Sequence, residues 1–130
     1  MTEIRLEHVS YAYGQERILE DINLQVTSGE VVSILGSSGV GKTTLFNLIA
    51  GILEVQSGRI VLDGEENPKG RVSYMLQKDL LLEHKTVLGN IILPLLIQKV
   101  DKAEAIARAD EILATFQLTA VRDKYPHELS

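Results

Sequence analysis

The sequence predicts an α/β fold, strand-rich to about residue 77 and helical beyond it. Three observations carry that prediction. The apolar run Val31-Val32-Ser33-Ile34-Leu35 leads directly into a glycine-rich stretch, Gly36 to Thr44, and then into the helix-like run Leu45 to Ala50. Upstream, Ile4 and Leu6, then Ile22, Leu24 and Val26, alternate with polar neighbours at the period of a half-buried strand. Downstream, Ile106, Ala109, Leu113 and Phe116 recur at helical spacing, which marks one face packed on a neighbour.

The elements follow in order. The first strand holds Ile4 and Leu6, with His8 continuing the alternation, and Gly14-Gln15 turns the chain into a second strand from Ile18 to Val26. Ser28-Gly29-Glu30 is another turn. Val31 to Leu35, apolar almost throughout, predicts a strand covered on both faces in a parallel sheet. The helix from Thr43 to Ala50 meets Gly51, suited to a left-handed cap. Gly58 to Leu62 and Val72 to Leu76 predict two more strands joined by the loop 63–70. Asp101 and Glu104 have the spacing of a capping box, Asp101 accepting from the third backbone N–H and Glu104 reaching back.

Composition narrows the function. At 130 residues the chain can bury a core, yet it is short for a nucleotide-hydrolysing protein of this kind. Eighteen acidic against thirteen basic residues give a net charge of −5, and no Lys/Arg stripe tracks a phosphate backbone, so nucleic acid is not expected as a partner. There is no cysteine, and His8, His84 and His127 are too scattered for a metal site. The polar start Thr2-Glu3-Ile4-Arg5 carries no secretory signal, and the apolar run Ile91 to Ile97 falls well below the roughly 20 residues a spanning helix needs. A cytoplasmic location is the expectation.

Gly36, Gly41, Lys42 and Thr43 satisfy G-x-x-x-x-G-K-[ST], and each fixed position has a physical reason. The glycines let successive backbone N–H groups, those of Ser37, Ser38, Gly39, Val40 and Thr44 among them, converge on one anion. Lys42 brings a compact positive charge to the outer phosphates, Thr43 offers a hydroxyl to Mg²⁺, and the following helix points its positive end at the same place. Four fixed positions match by chance at roughly 3 × 10⁻⁵ per start site. A P-loop NTPase core binding a nucleoside triphosphate with Mg²⁺ is therefore predicted. Gln98-Lys99-Val100-Asp101 lacks the Asn of a GTPase base-reading element, and no arginine-rich lid marks a small kinase.

Flanking the loop, Tyr11-Ala12-Tyr13-Gly14, Leu19 to Leu24, Ser57-Gly58-Arg59-Ile60, Val72 to Gln77 and His127-Glu128-Leu129-Ser130 together resemble the nucleotide-binding subunit of ATP-binding-cassette (ABC) transporters, over nearly the whole chain. The resemblance implies an antiparallel β subdomain and a helical subdomain on the P-loop core, with residues 1–77 forming the core and β subdomain and 78–130 the Q-loop and helical part. It implies that Tyr13 stacks on adenine, with Tyr11 two positions early, and that Gln77 joins Thr43 at the metal. Ile60-Val61-Leu62-Asp63 mimics a Walker B strand, but Asp63-Gly64 reads as a turn and stands too close behind the loop helix.

The resemblance also implies ATP as ligand, a transmembrane permease as partner along Lys78 to Leu96, a second ATPase subunit in a head-to-tail dimer, and a peripheral position on the inner face of the membrane. Leu129-Ser130 matches only the first two residues of the signature Leu-Ser-Gly-Gly-Gln. The expectation is a cassette truncated before its Walker B strand, with no catalytic residue assigned and little or no hydrolysis alone. The ending Tyr125 to Ser130 is similar to importers of nitrate, sulfonates, taurine or a thiamine precursor. A non-catalytic nucleotide-binding regulatory module, or another P-loop kinase or NTPase, is the alternative.

Overall fold

In the computed structural model, which describes residues 2–129, β1 (Glu3–Tyr13) and β2 (Glu16–Thr27) form a long hairpin turned at Gly14 and Gln15. The chain divides into two compact units, Met1–Met75 and Leu76–Ser130.

In the first unit, β3 (Ser57–Leu62) joins the other edge of β1 and β4 (Glu65–Glu66) closes a tight turn at Asp63-Gly64. The sheet runs β2-β1-β3-β4, every neighbour antiparallel. Its inner face carries Leu6, Val9, Leu19 and Ile60, on which α1 (Lys42–Ile49) lays Leu45 and Leu48. Each such side chain contributes about 1.5–3 kcal/mol by leaving water. The outer face carries Glu3, Arg5, Glu7 and Arg59 in a ladder of exposed ion pairs.

His8 does not continue the alternation of β1. It takes a left-handed φ of 52° as the extra residue of a bulge, its side chain lies outside, and Val9 is the next residue buried. Asp21 (φ 50°) makes the compensating bulge in β2. Bulges orphan ladder N–H groups, and side chains replace the lost partners. Asn23 Oδ1 accepts from His8 N–H at 2.9 Å, Ser10 Oγ accepts from Asp21 N–H at 2.9 Å, and His8 Nδ1 donates to the Asp21 carboxylate at 2.7 Å.

Two expected strands are absent among the described residues. Val31–Leu35 and Val72–Leu76 carry no ladder, and Val31, Leu35 and Met75 are 95%, 91% and 93% exposed. A strand is stable only when its N–H and C=O groups find a neighbour, and no described strand runs beside either segment. An apolar run encodes the demand for cover, not the cover.

In the second unit, α2 (Val87–Ile97) and α3 (Lys102–Thr115) pack through Ile92, Ala105 and Ala109. Thr86 caps α2, and the Asn90 amide ties down the turn before it, accepting from Leu82 N–H and donating to the carbonyls of Leu82, Lys85 and Thr86. Asp101 caps α3, but through Ala103 N–H at 3.0 Å, and Glu104 pairs with Arg108 one turn on instead of reaching back. Phe116 departs from the predicted face. The helix ends there, Gln117 turns left-handed, and the ring is 68% exposed. Short turns at Thr119–Val121 and Pro126–Glu128 complete the unit. Ser130 of the Leu129-Ser130 match lies outside the described residues.

Candidate functional site

Gly36 to Thr44 form a turn against the start of α1, and the reasons for each glycine differ. Gly39 (φ 80°) and Gly41 (φ 106°) occupy the left-handed region. At Gly36 a Cβ would sit 2.8 Å from Val40 Cγ1, so a side chain there would have to push the exposed Val40 aside. At Gly41 a Cβ would meet Ile18 Cγ2 at 2.9 Å and the Ile18 carbonyl at 3.1 Å. The loop is thereby seated on β2.

Gly41 is the N-cap of α1 and offers no side chain to its first-turn N–H groups, and no acidic residue stands in that turn. A helix start left open in this way is an anion site. The Lys42 ammonium lies inside the turn, donating to the carbonyls of Gly36 at 2.5 Å and Ser37 at 2.7 Å. Ser37, Ser38 and Val40 are exposed on the loop, Thr43 is exposed one residue into α1, and Thr44 faces the core at 7% exposure. The turn therefore combines free N–H donors, a fixed cation and a hydroxyl, a set that fits a polyphosphate with Mg²⁺. Among the described residues no cluster of three or more His, Cys, Asp or Glu could hold a metal, and Mg²⁺ beside phosphates needs only one or two protein ligands.

The β1 end of the hairpin adds an aromatic surface. Leu19, which a Cβ on Gly41 would meet at 3.1 Å, pairs in register with Tyr11. Tyr13 follows two residues on, half exposed, with the Tyr11 ring roughly perpendicular to it at a centroid distance of 5.1 Å. Tyr11 is instead packed against the core. Its neighbour Ala12 is gripped by Gln56, whose amide oxygen accepts from Ala12 N–H at 2.9 Å and whose amide nitrogen donates to Ala12 C=O at 3.0 Å. No sequence pattern flagged Gln56.

Asp63 is committed to the turn, accepting from Glu3 N–H at 2.8 Å and pairing with Arg71. Gln77 belongs to the second unit, exposed in a bend. A cavity of about 400 Å³ in the first unit, lined by Leu48, Leu53, Arg59, Glu66 and Lys69 among others, includes no residue of Gly36 to Thr44. Among the described residues no helix is long and apolar enough to cross a membrane.

The ABC transporter family model matches residues 19–130. The spermidine/putrescine import ATP-binding protein PotA of Aggregatibacter actinomycetemcomitans is 39% identical over 98% of the chain, which covers 36% of that protein. The sulfate/thiosulfate import ATP-binding protein CysA of Thermosynechococcus vestitus is 37% identical over 98% of the chain, with 39% of its own length covered. The chain thus spans little more than a third of these curated relatives. Among solved structures, MJ1267, an ATP-binding cassette of an ABC transporter, superposes with a TM-score of 0.84 at 26% identity, covering all of this chain and 60% of that one. The cassette MJ0796, a dimer with ADP and Pi, gives 0.77 at 27% identity, with 98% and 63% covered.

Proposed function

The chain belongs to the ABC transporter family, and from that premise we propose that it holds ATP for a transport ATPase subunit that couples nucleotide binding and hydrolysis to solute import. The observation that carries this reading is the open start of α1, with Lys42 fixed inside the turn by two carbonyls. Gly36 to Thr44 hold the phosphates, Tyr13 faces the base, and Thr43 serves the metal. When bound, Mg²⁺ neutralises phosphate charge. The chain's own groups do the rest. Lys42 exchanges its carbonyl partners for phosphate oxygens, the backbone donors orient the chain of phosphates, and the Tyr13 ring supplies a sequence-tolerant stacking face.

The partners proposed are a permease and a second cassette in a head-to-tail dimer, at the inner face of the membrane. The dimeric state named for MJ0796 supports the pairing. Exposed Leu80, Leu96 and Ile97 in the second unit supply apolar area for a permease. Relatives named for a cationic polyamine and for anionic sulfate stand at nearly equal identity, so the proposal extends to import of a small solute and not to its charge.

Titration calorimetry with Mg-ATP tests the reading. Lys42→Ala is expected to weaken binding at least about tenfold, the loss of a charge-assisted contact; unchanged affinity overturns it. A polypeptide of these 130 residues is expected to bind without steady turnover. Phosphate release that Lys42→Ala abolishes would refute that second expectation alone.

A further inference from the structure

We infer that Gln56 is a positioning residue for the nucleotide base, acting through Tyr13; this rests on the reading of Tyr13 as the base platform. The last β1–β3 pair is Ser10 with Ser57, so beyond Ser10 the β3-side edge of β1 has no further strand pair. Gln56 immediately precedes β3, and its side-chain amide, one donor and one acceptor set as in a peptide group, makes the two bonds to Ala12 that another residue of β3 would have made. Ala12 stands opposite Arg17 in the β1–β2 register, and its own N–H and C=O both go to Gln56, so the strand is restrained along both edges at this point. Tyr13, the next residue and the last of the strand, inherits that restraint.

The restraint has a use. A strand end paired on one edge only keeps more freedom than one restrained on both, and a ring on it must be ordered when a base arrives, which subtracts from the stacking gain. The clamp at Ala12 fixes the backbone and the perpendicular Tyr11 ring flanks that of Tyr13, so Tyr13 stands ready before any ligand is present. Gln56 makes its polar contacts to Ala12 and belongs neither to the loop nor to α1, so its effect falls on the base and not on the phosphates.

The test measures the ratio of affinities for Mg-ATP and for inorganic triphosphate with Mg²⁺ on the full chain. The sequence has four tyrosines and no tryptophan, so tyrosine fluorescence is an unmasked second readout. Stacking gives ATP an advantage of about 5- to 150-fold. Gln56→Ala and Gln56→Met are expected to cut that advantage at least about threefold while triphosphate affinity holds, and to add nothing in combination with Tyr13→Ala. If Tyr13→Ala removes the advantage and the Gln56 variants keep it, the inference fails and the base reading stands. If Tyr13→Ala keeps it, or the unaltered chain shows no advantage, the base reading fails and the inference with it. Equal loss for both ligands in the Gln56 variants makes Gln56 a support of the fold and overturns the inference.

Discussion

At Gly58 the backbone φ is 79°, and a Cβ would stand 2.3 Å from the His8 carbonyl oxygen and 2.4 Å from that of Glu7. β3 approaches the β1 bulge so closely that only hydrogen fits. Gly58→Ala is expected to cost about 2 kcal/mol or more, from left-handed strain plus displacement of a strand pair, read as a lower urea midpoint. Gly14→Ala, at φ 61° but with open space around it, is expected to cost about half as much. The difference was not legible in the sequence, where both glycines mark only turns or strand starts. The turn at Gly41 and Lys42 was legible because the motif fixes residue types at fixed spacing, and the structure places Gly41 at a left-handed φ there. Gln56 was not, because a side chain mimicking a strand leaves no periodic trace.

Among the elements, β1 and β2 were legible from alternation, and their bulges were not, since one extra residue resets the period without changing composition. α3 shows the reverse failure. Its spacing extended the buried face to Phe116, but the helix stops at Thr115, with Phe116 as its C-cap and a left-handed Gln117 behind it that carries no glycine signal. The segments 31–35 and 72–76 had the composition of buried strands and lack ladder partners among the described residues. Val31 and Leu35 therefore present apolar side chains and free backbone groups together, the conditions for edge association. A Val31→Lys, Leu35→Lys chain is expected to show less concentration-dependent light scattering than the unaltered one, with the same urea midpoint. Equal scattering would place the association elsewhere.

For the molecule as a whole, acidity enters through four carboxyls held below their usual range by named partners: Glu7 by Arg59, Asp21 by His8, Glu30 by the Thr27 N–H, and Asp110 by Arg122. A carboxyl depressed in the folded state stabilises above its unfolded pKa, and that contribution is lost as pH falls through the folded value. The urea midpoint is thus expected to be flat from about pH 7 to 5 and to decline below about pH 4.5. The decline is shallow, since these groups are largely solvated; a midpoint rising on acidification would contradict the assignment. The Lys42 ammonium is already engaged by two neutral carbonyls of its own turn. An arriving polyanion displaces existing bonds rather than filling a bare charge, so the heat released is a difference of similar quantities. On the proposed function, singly charged anions are expected to gain too little in that trade, and a chain of phosphates to outcompete them at this turn.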